Sequence, residues 1–123
     1  ELTHSKEDMQ RAFNFLGQYK DEDGMADIVQ TIAHIRRRTD FTGKVAAAGL
    51  CLGGKLAYLA ATLPGVDAAV SFYGVGIEKR LDAAGAVRCP LMMHFGDQDS
   101  YISDQARQQR SGAGPGLAPL RPR

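Results

Sequence analysis

Residues 44–63 read KVAAAGLCLGGKLAYLAATL, and this stretch decides the fold. Lys44 to Leu50 is a short apolar run of the kind that forms a buried strand. Gly54 to Leu63 carries the composition of a helix. Between them Gly49-Leu50-Cys51-Leu52-Gly53 sets a cysteine where a G-x-S-x-G nucleophile elbow carries serine. That chemistry needs a sharp strand-to-helix turn, which lifts the nucleophile above the sheet. Glycines two residues either side keep side chains out of the way of the crossing backbone. The following helix points the positive end of its dipole at the thiol, an arrangement that raises cysteine reactivity.

The rest of the chain falls into place around this unit. Ser5-Lys6-Glu7-Asp8 resembles a capping box, and Met9, Phe13 and Leu16 recur at helical spacing, so a helix is predicted over 5–18. Lys20 to Gly24 reads as a polar break. A second helix is predicted from Ala26 to Arg38, with Ile28, Ile32 and Ile35 on one face. Asp23 and Asp27 at its start and Arg36, Arg37 and Arg38 at its end suit the helix dipole, so the arginine run reads as a solvated helix end. Beyond the elbow, Ala68 to Tyr73 reads as a buried strand, Glu78 to Ala84 as a short helix and Leu91 to Phe95 as a third strand. Alternating strands and helices imply an α/β fold with a parallel sheet. Residues 1–104 form the domain. Residues 105–123, rich in Gly, Pro and Arg, have too little apolar periodicity to order themselves.

Three blocks, GKVAAAGLCLGGKLAYLAA, VDAAVSFYGVGIEKRL and PLMMHFGDQD, are similar in order and spacing to the dienelactone hydrolase (carboxymethylenebutenolidase) family of the α/β-hydrolase superfamily. The likeness runs from Thr42 to about Ser103 and fades upstream. It implies an α/β-hydrolase-like sheet with flanking helices, and an ester or lactone hydrolase of the EC 3.1.1 class with Cys51 as nucleophile. The Leu52 backbone N–H becomes one oxyanion donor. Asp99 matches the family's acid, and Asp97 is its rival for that role. Family arginines hold the substrate carboxylate. One matching position falls near Met9, where Arg11 is close enough to substitute. Phe72 and Tyr73 are candidates for the pocket wall.

Other family parts have no counterpart in this sequence. The early strands, the second oxyanion donor and a glutamate that contacts the resting cysteine would all precede Glu1. The catalytic histidine should follow Asp99, yet His4, His34 and His94 all precede it. His94 lies in a strand and reads as a packed core residue. The expectation is therefore an incomplete member with impaired turnover. The alternative is a non-catalytic remnant that persists as a structural or interaction domain and self-associates through exposed sheet edges.

Composition narrows the classes further. The chain has 24% charged and 44% apolar residues and a net charge of +1. Four arginines and no acid follow Asp104, so removing their charge leaves residues 1–104 at −3. An acidic body and a tail without aromatics argue against nucleic-acid binding. No apolar run is long enough for a membrane span. Cys51 and Cys89 form no disulfide framework, which favours a cytoplasmic setting. Cys89 and His94 are five apart, but no paired ligand spacing suggests a metal. The glycines around Cys51 lack the G-x-G-x-x-G spacing of a dinucleotide loop, so no cofactor is expected.

Overall fold

The computed structural model describes Thr3 and residues 5–96. The order of elements is α1 (Lys6–Gln18), α2 (Asp21–Arg36), β1 (Ala46–Leu50), α3 (Leu52–Ala60), β2 (Ala68–Phe72), two 3₁₀ turns (Ile77–Lys79 and Leu81–Ala86) and β3 (Leu91–His94). The three strands form one parallel sheet in the order β1-β2-β3. In register, Gly49 lies opposite Ser71, and Leu50 opposite Phe72, which in turn faces His94. The α/β class and the flanking helices are those of the sequence reading.

Helix α1 starts where the capping pattern places it. The Ser5 side chain accepts a hydrogen bond from the Asp8 N–H at 3.2 Å, satisfying one of the first-turn donors. None of its residues is buried, and Met9, Phe13 and Leu16 stay partly exposed.

Helix α2 departs from the expected limits at both ends. It begins at Asp21, so the polar stretch taken for a break is its first turn. Asp21, Glu22 and Asp23 suit the positive end of the helix dipole. Gly24 leaves room for the Tyr19 ring, whose hydroxyl and Cζ occupy the space a Cβ would need. The helix ends at Arg36. Arg36, Arg37 and Arg38 are exposed, as the reading of a solvated helix end expects, but Arg36 also makes specific contacts. Its Nε and Nη2 donate to the Gly65 carbonyl oxygen at 3.0 and 2.7 Å, and Nη2 also reaches Asp67 at 2.7 Å. Its guanidinium lies 5.7 Å from the centre of the Phe41 ring. The clamp closes the loop between α3 and β2 onto α2.

Strand β1 starts at Ala46 rather than Lys44. The Val45 N–H is taken by the Asp67 carboxylate at 2.8 Å, and its carbonyl accepts from the Asp67 N–H at 2.7 Å. Helix α3 starts directly after Cys51, two residues earlier than expected, and ends at Ala60. The segment taken for a short helix over 78–84 is instead the two 3₁₀ turns.

The core lies between α3 and one face of the sheet. Ala60, Ile32 and Val66 pack with Val45 and Ala47, and Tyr58, Leu59 and Ile77 pack with Leu91 and Met93. Alternation along a strand therefore sends Ala46, Ala48, Leu50, Val70, Phe72 and Met92 to the opposite face. Leu50 is 60% exposed there and Met92 44%.

Candidate active site

Cys51 sits at the carboxyl end of β1, where ligands of open parallel sheets bind. Its backbone has φ 55° and ψ −117°, an unusual conformation for a residue other than glycine. Three hydrogen bonds hold it there. Its N–H donates to the Phe72 carbonyl at 3.1 Å, and its own carbonyl accepts from the Lys55 and Val75 N–H groups at 3.2 and 3.3 Å. The side chain is exposed and the thiol is free.

The glycines around it have separate jobs. A Cβ on Gly49 would run into the Gly53 backbone, so the strand and the helix can approach only without one. Gly53 itself has open space where its Cβ would be. The second tight position is Gly54, where a Cβ would lie 2.6 Å from the Phe72 carbonyl oxygen and 2.9 Å from the Gly74 Cα. Gly49 thus behaves as the elbow pattern requires, while the second steric demand falls on Gly54 and not on Gly53.

A cleft of about 410 Å³ opens beside the thiol. Cys51 and Leu52 form part of its wall, with Leu16 and Tyr19 from α1 and its end. The Leu52 N–H belongs to the first turn of α3, which has no side-chain cap. Such first-turn amides are donors aimed at whatever occupies the space before them. The charged wall comes from Asp21, Lys55, Lys79 and Arg80. Asp21 accepts from Lys55 Nζ at 2.6 Å and from Arg80 Nη1 at 2.9 Å, with its side chain only 13% exposed. Burial pushes the Asp21 carboxyl up, but the contacts from Lys55 and Arg80 outweigh it and hold it below the usual carboxylate range. The Arg80 carbonyl accepts from the Tyr58 hydroxyl at 3.0 Å, so both ends of that residue are fixed.

The other candidates from the sequence lie elsewhere. Arg11 is on α1, 62% exposed and paired with Asp8 at 3.2 Å; it does not line the cleft. Phe72 and Tyr73 are also outside the lining. Phe72 stacks on His94 with ring centres 4.7 Å apart. His94 is half-buried at the end of β3. Tyr73, at φ 38°, donates its N–H to the His94 carbonyl at 2.7 Å. Asp97, Asp99 and His4 lie outside the described residues. Among the described residues, no group of three or more His, Cys, Asp or Glu could hold a metal ion, and no helix is long and apolar enough to cross a membrane.

Sequence reasoning missed Tyr19, Asp21, Lys55, Lys79 and Arg80 as cleft residues. Lys55 alone carried a signal, standing one helical turn after Cys51. The others reach the cleft through contacts that no local pattern announces.

Cys89 gives an internal contrast. It is half-buried, its thiol points at the Ala61 carbonyl oxygen at 3.7 Å, and burial, with help from Asp67, pushes its pKa up.

Comparison with known proteins places these features in a family context. The model of the dienelactone hydrolase family matches residues 2–113. The match therefore reaches upstream through α1 and α2, well beyond the region where the three motif blocks lie. The chain is 43% identical over 98 residues to a carboxymethylenebutenolidase of Pseudomonas sp. strain P51, covering 80% of this chain and 41% of the relative. It is 37% identical over 99 residues to a carboxymethylenebutenolidase of Pseudomonas putida, covering 80% and 42%. A carboxymethylenebutenolidase 1 of Cupriavidus pinatubonensis is 37% identical over 86 residues, covering 70% and 37%. The chain thus spans about two fifths of the length of these relatives.

Proposed function

The chain belongs to the dienelactone hydrolase family, and from that premise we propose that it acts on ester or lactone bonds of small molecules through Cys51. The observation that carries this reading is the Cys51 backbone: an exposed thiol held at φ 55° between a strand and a helix, opening on a cleft. Strain of this kind is maintained where function needs a side chain projected.

In the proposed reaction the Cys51 thiolate adds to the ester or lactone carbonyl. The Leu52 N–H stabilises the developing oxyanion. Collapse of the tetrahedral species expels the alkoxide and leaves a thioester, which water then hydrolyses. By family resemblance Asp99 orients a histidine base. The 123 residues hold no histidine after Asp99. Acid–base help is worth about 10² to 10⁴-fold, so these residues on their own are proposed to acylate readily and turn over slowly. The two free thiols support a reducing, cytoplasmic setting.

Residue-resolved labelling with a neutral thiol reagent tests the nucleophile. Cys51 should react at least about tenfold faster than Cys89, given thiolate access at one and burial at the other. Equal rates at the two cysteines would remove the basis for this reading.

One observation favours a second reading, a non-catalytic remnant that works as an interaction domain. Leu50, Met92 and their neighbours form an exposed apolar face on a parallel sheet, a fold in which both faces are usually covered. Acylation of Cys51 by an activated ester, absent in Cys51→Ala, would argue against that alternative.

A further inference from the structure

We infer that Asp21 is a positioning residue that fixes the width of the cleft beside Cys51, and with it the size of acyl group the thiol accepts. This rests on the hydrolase reading above and adds to it a residue that determines specificity.

The first observation is where Asp21 stands. The cleft wall comes from three stretches of the chain, residues 16–21, 51–55 and 75–80. Asp21 closes the first. Its Oδ1 takes Lys55 Nζ from the second at 2.6 Å, and its Oδ2 takes Arg80 Nη1 from the third at 2.9 Å. One carboxylate therefore joins all three walls, with one oxygen for each neighbour. The side chains of Asp21 and Lys55 are only 13% and 16% exposed, so this contact is screened much less than a surface pair. Glu22 stands 3.8 Å from the same Arg80 nitrogen but is 78% exposed and adds little.

The second observation is what the joint holds. Lys55 donates its backbone N–H to the Cys51 carbonyl, so the residue that Asp21 grips is itself bonded to the elbow. Arg80 is held at its carbonyl by the hydroxyl of Tyr58, a fully buried side chain. These two walls are anchored to the body of the fold. The first is not anchored in that way, because α1 has no buried residue. Leu16 and Tyr19 take their place beside Cys51 from the start of α2. There the Tyr19 ring lies against Gly24, and Asp21 makes its two ion pairs.

The third observation is what an uncharged side chain at this position does. An amide in place of the carboxylate leaves Lys55 and Arg80 as neighbouring like charges with no counter-charge, and they repel. The three walls then part. A cleft of fixed width discriminates between acyl groups that differ by a few methyl groups, and a slack one does not.

The test compares acylation of Cys51 by para-nitrophenyl acetate and para-nitrophenyl trimethylacetate. Both esters are neutral and share a leaving group, and they differ in the bulk of the acyl group. In each, the sulfur–carbon bond forms and para-nitrophenolate leaves. Rates at Cys51 are read by mass spectrometry on the full 123-residue chain. The ratio of acetyl to trimethylacetyl rates should fall about five- to tenfold in Asp21→Asn and about threefold in Arg80→Gln. The double variant should fall no further than Asp21→Asn, because both changes act through one contact. Asp67→Asn breaks the other carboxylate clamp, on Arg36 and Val45 at the opposite end of the sheet. It should lower the urea midpoint and leave the ratio unmoved. If Asp21→Asn does not fold, Arg80→Gln decides, since it keeps the pair between Asp21 and Lys55.

A ratio unchanged in Asp21→Asn and Arg80→Gln, or one that falls equally in Asp67→Asn, would overturn the positioning role even if Cys51 reacts fast. Reaction of Cys51 no faster than of Cys89 would instead count against the nucleophile, and the ratio at Cys51 would still report on Asp21.

Discussion

A Cβ at Gly54 would press on the Phe72 carbonyl and the Gly74 Cα, whereas one at Gly53 would meet nothing within 4 Å. Adjacent glycines in one motif should therefore respond oppositely to the same change. Gly54→Ala should cost about 1 to 3 kcal/mol from overpacking against backbone. Gly53→Ala should be neutral or stabilise by up to about 1 kcal/mol, since alanine is the better helix former. Urea denaturation of the two variants checks this, and equal losses would mean that the backbone crossing is misassigned. Cys51 provides a second residue-scale test. Its conformation stores about 1 to 3 kcal/mol, and glycine would relieve it at an entropic cost of about 0.4 to 1 kcal/mol. Cys51 is exposed and loses little packing. Cys51→Gly should therefore unfold at higher urea than Cys51→Ala, by about 1 kcal/mol. Higher stability of the alanine variant would show that the elbow is unstrained. At this scale the sequence was legible where the constraint is local. Glycine beside a cysteine between a strand and a helix declares a tight turn. Which glycine bears the contact depends on Gly74, twenty residues further on, and no spacing rule shows it.

At the scale of elements, the apolar runs located the three strands among the described residues, because a parallel strand buried by crossover helices is apolar along its length. The limits of α2 were hidden for a physical reason. Its first turn is all acid and glycine, which by propensity reads as a break, and Asp21 is stabilised there by Lys55 and Arg80 from distant elements. Arg36 likewise, while still exposed, becomes a clamp only once Gly65 and Asp67 stand beside it. These pairs make acid sensitivity predictable. Asp21 and Asp67 both titrate below the usual carboxylate range in the folded chain, through Lys55 and Arg80 for one, and through the Val45 N–H and then Arg36 for the other. A carboxyl with a lowered folded pKa stabilises fully above its unfolded pKa of about 3.9. That contribution is lost as the pH falls through the folded value. The urea midpoint should therefore decline from about pH 5 toward pH 3. Asp21→Asn should start lower at neutral pH and decline less steeply. A variant with the same slope as the parent would mean that Asp21 is not an ion-paired carboxylate.

For the whole molecule, the strongest constraint is the face of the sheet opposite α3. Leu50 and Met92 are exposed there beside Val70 and Phe72, and the matched relatives are more than twice as long as the aligned region. Exposed apolar surface of this kind drives association. The 123-residue chain should show concentration-dependent self-association in analytical ultracentrifugation, reduced when Leu50 and Met92 are both changed to lysine. A monomer at all concentrations would argue that this face is covered. The class of fold was legible in the sequence because its strand, turn and helix live in one contiguous stretch, which also carries the proposed nucleophile. The cleft was not, because its wall comes from three separate stretches of the chain, 16–21, 51–55 and 75–80. The central claim is the proposal that Cys51 works as a nucleophile in these 123 residues, which hold no histidine after Asp99. Time-resolved intact mass spectrometry with an activated ester tests it most directly. The account predicts rapid addition of one acyl group, mapped to Cys51 and absent in Cys51→Ala, followed by slow release. Acylation of Cys51 no faster than of Cys89, or steady turnover on the order of 10 per second, a typical enzyme rate, would contradict it.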